Sequence, residues 1–397
     1  MGLVASAFVF LMTPGLAFFY GGLVRAKNLV NTIMLSFMSI AVVSIIWVLW
    51  GYTLSFTDGG PLQVFVGGLT EFGLSGISTD AGDGYSTLAF VAFQMMFAII
   101  TPALITGALV ERFKISTYLI FLVLWITLVY APICHWVWGG GWLSELGALD
   151  FAGGTVIHIN AGIAAVAAAF LLGKRRNPGS RPNNVPYVVL GAAILWFGWF
   201  GFNAGSQLAA DGIAASAFLV TNTAAATAAL TWGIVSQIKN GKMGAVGVAT
   251  GAVAGLVAIT PAAGFVGIYG ALAIGVGAGV ICFFAVEFIN STGLDDALDV
   301  FAVHGIGGIW GAIATGIFAV EAIGGTAGLI EGNIKQVGIQ VVAVLATLVY
   351  SGIVTLVILK ILDLIPGLGL RASEPDENIG LDLSHHGEQA SVDDGAD

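Results

Sequence analysis

The chain reads as long apolar stretches broken by short polar joints. Runs of about 20 apolar residues, the length that crosses the hydrocarbon core of a bilayer, recur from one end to the other. Eleven are predicted, over residues 2–24, 29–56, 86–110, 115–138, 152–173, 185–206, 214–238, 243–261, 266–289, 301–322 and 336–365. They are too long for barrel strands and lack strict two-residue alternation, so each is expected to be a helix. Fifty-seven glycines would weaken helices in water. In lipid, small residues let helices approach closely. The expected fold is an all-α polytopic membrane protein with eleven transmembrane helices.

The polar joints carry the orientation. Arg25 and Lys27 follow the first run, Arg112 and Lys114 the third, Lys174, Arg175, Arg176 and Arg181 the fifth, and Lys239 and Lys242 the seventh. Lys360 and Arg371 lie at the end of the last run and in the tail. Only Lys335 falls on the other side, so twelve of the 13 basic residues share one face. The positive-inside rule makes that face cytoplasmic. The N-terminus is then outside and the C-terminus inside. The joint NSTGLDDALD before the tenth run has no basic residue, so that pair of runs rests on hydropathy alone. The first run has no basic leader and reads as a mature span, not a signal peptide.

Composition narrows the function classes. Apolar residues make up 57% of the chain, charged residues 9%, and the mean hydropathy is +0.96. The net charge of −10 is concentrated in the tail and outer loops. A nucleic-acid partner would require a basic face, so none is expected. The tail from Pro366 is acidic and aperiodic, and reads as a cytoplasmic segment that orders in part on binding a partner. The outer loop at 57–84 is glycine-rich and acidic and forms no separate domain. Cys134 and Cys282 lie in runs four and nine and are expected to pack as small residues, not as a disulfide. There is no phosphate loop with lysine, no His-Glu-x-x-His and no zinc-spaced Cys/His cluster. Neither an enzyme, nor a cofactor, nor a metal site is expected; His385 and His386 in the tail are too few and too solvated to make one.

Two histidines interrupt this interior, His158 in GGTVIHINAG and His304 in VFAVHGIGG. Each follows an aspartate by eight positions, Asp150 and Asp296. An ionisable side chain within a span is a functional candidate by default. At α-helical spacing His158 shares a face with Gly154 and Gly162, and His304 with Gly308 and Ala312, so both point to a crowded helix contact. The first and sixth runs add a second echo, FFYGG and FGFNAGS. These pairs predict a five-helix repeat, residues 1–173 against 185–322, with 336–365 an extra long helix and 366–397 the tail. An odd helix count inverts the second copy and sets a site at the repeat interface near the midplane. His158 lies roughly 12 Å below Asp150 along its helix, and His304 approaches from the opposite face. Two neutral imidazoles meeting there share a hydrogen bond. The pair can line an apolar pore, contact a polar molecule or pass a proton, or simply pack; its symmetry favours function. Asp150 can cap the fifth helix and also favour a cation in an outer vestibule. Asp296 reads as its structural mate at the cytoplasmic end.

Near the outer face, Trp138 ends the fourth run, Phe97 lies in the third before Pro102, and Phe202 and Ser206 close the sixth. An aromatic face with one hydroxyl attracts a small cation by about 0.5–2 kcal/mol. Spacing does not bring these four together. Taken alone, Trp138 reads as an interface-belt residue and the two phenylalanines as packing.

Several blocks together carry a resemblance: PGLAFFYGGLVRAKN at 14–28, GALVERFK at 107–114, APICHWVWGGGWLSELGALDFAGGTVIHINAG at 131–162, GWFGFNAGS at 198–206, DVFAVHGIGGIWG at 299–311 and GLR…GLDLSHHGE at 369–388. The chain resembles the ammonium transporter family (Amt/Mep/Rh), on its Amt branch. The resemblance implies the same eleven helices with an inverted five-helix repeat, a homotrimer with one pore per subunit, and a place in the cell membrane. It implies ammonium or ammonia, and methylammonium, as substrates. By motif, Trp138, Phe97 and Ser206 match the external recruitment site, Asp150 the carboxylate beneath it, Phe97 and Phe202 the stacked gate, and His158 and His304 the twin histidines of the pore. This reverses the packing reading of the aromatics. Ammonium is expected to be captured outside, to shed its proton and to pass as ammonia, with or without the proton following. The GLDLSHHGE tail matches the segment that docks a PII signal protein. The main alternative is an ammonium sensor signalling through the tail; a proton or metal transporter and a membrane-embedded enzyme are the other rivals.

Overall fold

The computed structural model describes residues 2–79, 85–176, 178 and 181–390. Residues 80–84 of the outer loop and 391–397 of the tail, both covered by the sequence reading, lie outside the described residues. Among the described residues, eleven apolar helices follow one another. They are α1 (Gly2–Leu23), α2 (Leu29–Ile46, continued by Trp47–Gly51 and Tyr52–Phe56), α3 (Thr87–Leu109) and α4 (Ile115–Trp125, Ile126–Tyr130 and Ala131–Trp138). Next come α5 (Gly154–Leu172), α6 (Val185–Gly205), α7 (Gly212–Asn240) and α8 (Ala245–Ile259). The series closes with α9 (Ile268–Thr292), α10 (Phe301–Phe318) and α11 (Ile334–Leu364). Each falls on a predicted run. The one departure in length is α8, 15 residues long and the only one of the eleven below spanning length. Among the described residues there is no strand, only an isolated bridge between Phe113 and Arg371.

Helix ends follow local chemistry. Asp211 opens α7 by accepting from the amides of Ile213 and Ala214, both at 3.0 Å, and Gly241 ends it in the left-handed region at φ 72°. Asn184 opens α6 by accepting from Tyr187 N at 3.0 Å. Such caps satisfy amides that have no partner inside the helix.

The joints sort into two ends. At one, Glu111 pairs with Arg25 (2.9 Å) and Arg175 (3.8 Å), and Asp295 pairs with Arg112 (3.0 Å) and Arg175 (2.9 Å). These residues come from the joints after α1, α3, α5 and α9. Burial lowers the Arg112 guanidinium to about 10, even with Asp295 beside it. At the other end Trp142 N donates to Val64 O (3.2 Å), Phe151 N to Pro261 O (3.1 Å) and Val320 N to Phe265 O (2.9 Å). Those contacts join the segments after α2, α4, α8 and α10. The chain therefore alternates between two faces.

Helix pairing is close. Helices α1 and α6 run against each other, and a Cβ at Gly191 would overlap the Phe19 backbone. Helices α5 and α10 meet at Gly162, where a Cβ would overlap the backbone of Gly305. The first helix thus pairs with the sixth, and the fifth with the tenth. In lipid such contacts rest on van der Waals packing between small residues.

The tail corrects an expectation. Its acidic composition read as a segment awaiting a partner, yet residues 366–388 pack on the body of the chain. Asp382 accepts from Val30 N (3.0 Å) and Asn31 N (2.7 Å) at the start of α2, and Asn28 Oδ1 accepts from Leu381 N (2.9 Å). Arg371 pairs with Glu377 and donates to the carbonyls of Leu172 (3.0 Å) and Lys174 (2.9 Å). The acids that suggested solvation serve as caps and counter-charges for a helix N-terminus and basic joints. Cys134 and Cys282 are free and buried.

Candidate functional site

The site begins at the head of α5. The Asp150 carboxylate accepts from Gly153 N (2.8 Å), Gly154 N (2.6 Å), Thr155 N (2.9 Å) and Val156 N (3.2 Å), and from the Thr155 hydroxyl. It ties up the free amides of the first turn. Gly153, at φ 119°, lets the chain fold back over the carboxylate, a conformation that side-chain-bearing residues avoid. The first turn, Gly154–Ile159, is a widened π-turn, and it holds His158. Helix α10 repeats the plan. Asp296 accepts from Phe301 N at 2.6 Å, and the π-turn Phe301–Ile306 holds His304. Such turns insert an extra residue and re-aim side chains, often at functional sites.

These turns bring the two histidines together. Their Nδ1 atoms are 3.2 Å apart and their ring centroids 5.3 Å, with planes 17° from parallel. Both are buried, 1% and 3% exposed. One Nδ1 donates and the other accepts. Phe202 lies 6.0 Å from His158, and Phe97 lies 4.3 Å from Phe202 at 39°. Trp138 lies 6.1 Å from Phe97, edge-on at 86°. The five rings form a single file from Trp138 to His304. Phe97 and Phe202 are buried and in contact, so the file is closed between them.

The remaining sequence candidates sit around the Trp138 end of this file. Trp138 is half-buried and its indole N–H donates to the Asp150 carbonyl at 2.8 Å. Ser206 is half-buried and its hydroxyl donates to the Phe202 carbonyl at 2.8 Å. Asp150 thus places Trp138 and the head of α5. Its carboxylate oxygens are engaged by the chain itself. Among the described residues, His158 Nε2 is buried without a hydrogen-bond partner. A buried nitrogen of this kind costs free energy until a polar guest reaches it.

At the end that gathers Arg25, Arg112 and Arg175, burial pushes Asp296 up to about 6, against the hydrogen bond from Phe301 and the charge of Arg112. Burial and the Asp296 charge push Asp299 up to about 7. Among the described residues no group of three His, Cys, Asp or Glu gathers to hold a metal.

A profile of the Ammonium Transporter Family matches residues 1–391. The chain belongs to this family. It is 52% identical to an ammonium transporter of Bacillus subtilis over 97% of its own length and 96% of the relative's. It is 48% identical to ammonium transporter Amt1 of Archaeoglobus fulgidus, covering 98% and 97%. In three dimensions it resembles the crystal structure of Saccharomyces cerevisiae Mep2, with a TM-score of 0.88 at 39% identity over 94% of this chain and 86% of that one. It also resembles a sensor Amt protein, with a TM-score of 0.89 at 30% identity over 97% of each.

Sequence reasoning missed one ring that packs beside this file. Trp199 stacks on His158, 5.4 Å away at 13°, and its N–H donates to Thr260 Oγ1 at 2.8 Å. The signal was present, since Trp199 precedes Phe202 by three residues and so shares its helix face. A tryptophan in an apolar span carries no mark that separates stacking on a functional ring from packing. The π-turns were also missed, because no local residue pattern announces them.

Proposed function

We propose that the chain carries ammonium across the cell membrane, taking it up at the Trp138 end and passing ammonia along the ring file to the histidine pair. The observation that carries this reading is the file itself: five buried or half-buried rings end in paired imidazoles, with no charged side chain among them. Trp138, Phe97 and Ser206 hold the cation by cation–π attraction and a hydroxyl, and Asp150 supplies negative charge beneath while fixing the α5 head. Phe97 and Phe202 gate the path. His158 and His304 line it, and the unpaired His158 Nε2 receives the uncharged amine. An intact cation in this apolar stretch would lose its hydration without replacement. Ammonium escapes that cost by giving up a proton, and potassium has none to give. No catalytic role is assigned, in keeping with relatives named as transporters.

The same reading takes residues 1–173 and 185–322 as inverted repeats, with 336–365 as the added helix. It sets the N-terminus outside and the C-terminus in the cytoplasm, on the face gathering Arg25, Arg112, Arg175 and Arg371. Three copies assemble in the bilayer. Asn222, midway along α7, is exposed on the single chain, and a polar group in a span calls for a protein neighbour. The folded tail, with Ile379 and Leu383 exposed, offers a cytoplasmic docking surface for a PII-type signal protein.

Proteoliposomes test the function. Labelled methylammonium is expected to accumulate above empty vesicles, and unlabelled ammonium to compete while potassium does not. Uptake equal to that of empty vesicles contradicts the proposal. Current on an ammonium jump would show that the proton follows; flux without current would show neutral ammonia.

A further inference from the structure

His135 lies in the last turn of α4, three residues before Trp138, and is fully buried. Its Nδ1 is 3.0 Å from the Ser55 carbonyl oxygen, and its Nε2 is 2.7 Å from the Gln63 carbonyl oxygen. A carbonyl only accepts. A neutral imidazole offers one N–H and one lone pair. Either neutral tautomer would therefore set a lone pair against a carbonyl oxygen. The imidazolium, with two N–H donors, satisfies both contacts.

The surroundings suit a cation. The ring sits at a helix C-terminus, where the backbone dipole favours positive charge. Hydrogen bonds from a charged donor are short and strong, and they offset the cost of a buried charge. Among the described residues, the other ionisable groups on α4 and on the elements packed around the ring are Tyr52, Asp58, Glu71, Tyr118, Tyr130, Cys134, Glu145 and Asp150. Among the described residues, none hydrogen-bonds to the ring.

The two carbonyls belong to the outer end of α2 and to the loop that follows. The same loop accepts from Trp136 Nε1 at Phe65 O (2.8 Å) and from Trp142 N at Val64 O (3.2 Å). His135 is the one side chain of this set that grips both α2 and the loop. We propose that His135 is a fixed imidazolium that pins the outer loop and α2 to the end of α4, and so positions Trp138 for cation capture. This rests on the transport reading for its functional half only. His135 is a positioning residue and lies outside the ring file.

The test uses full-length protein carrying 15N-histidine, with the His135 signals assigned by their loss in His135→Gln. At pH 7 both ring nitrogens are expected to show the protonated shift. A neutral-ring signature overturns the proposal, whatever the transport assays give. Uptake then tests the positioning. The glutamine amide nitrogen can keep the contact to the Gln63 carbonyl but not the one to Ser55, so His135→Gln is expected to raise the half-saturating methylammonium concentration about twofold. His135→Phe keeps a ring without donors, and is expected to raise that concentration about fivefold or more, with a smaller change in maximal rate. An unchanged half-saturation in His135→Phe overturns the positioning role. Should that variant fail to fold, a His135→Gln variant that folds with an unchanged half-saturation would also overturn it.

Discussion

Asp150 organises the head of α5. Its carboxylate closes the first turn of α5, and that turn aims His158. In Asp150→Asn, one oxygen becomes a donor facing backbone donors. The expected loss is about 2 kcal/mol, seen as a lower Tm in detergent. An unchanged Tm would show that the cap does not organise this turn. Residue by residue, the site was legible where side chains were chemically out of place. Histidine and aspartate in an apolar interior stand out on physical grounds. Phe97, Phe202 and Trp138 do not, because an aromatic ring is at home in a span, and their roles came from the family resemblance. Trp199 and Thr260 stayed hidden for the same reason, and His135 was passed over although it too lies in a span.

The helices were legible because the bilayer imposes their length and the basic joints mark alternate ends. The 3.6-residue period placed both histidines at a crowded helix contact, but it could not yield the π-turn that holds each of them. The contact between α5 and α10 depends instead on Gly162 and Gly305. Gly162→Val is expected to push these helices apart, to cost about 1–3 kcal/mol by overpacking, and to lower uptake. Normal uptake and Tm would show that the contact tolerates separation. The joint between α9 and α10 gives a pH prediction. Burial raises Asp299 from 3.8 to about 7, so the folded chain holds that proton more tightly than the unfolded one. The group therefore favours the fold fully at pH below its unfolded value, and this contribution is lost as the pH rises through about 7. Asp299 also sits at φ 58°, which asparagine tolerates. Asp299→Asn is expected to raise Tm at pH 8 and to flatten its fall between pH 4 and 7. A slope identical to that of the natural protein would contradict this.

For the whole molecule, the tail is the part that composition misrepresented. A chain rich in acids resembles a solvated segment until its partners, here the N-terminus of α2 and the basic joints, are set beside it. Asp382→Ala removes the cap on Val30 and Asn31 and is expected to cost about 1 kcal/mol and to expose the tail to protease. Equal protection in both forms would show that the tail is held by other contacts. Subunit number follows from cross-linking of purified protein, with a ladder ending at three expected and a ladder ending at two contradicting the trimer.

The central claim is that a proton-shedding solute passes between paired buried imidazoles. The most direct measurement is labelled methylammonium uptake into proteoliposomes by the natural protein and His158→Ala, each with and without excess potassium. The account predicts uptake by the natural protein that potassium leaves unchanged. In the variant it predicts uptake lower by about tenfold or more, a barrier change of roughly 1.4 kcal/mol, or uptake that potassium now inhibits. Equal uptake by both proteins, insensitive to potassium in both, would contradict it.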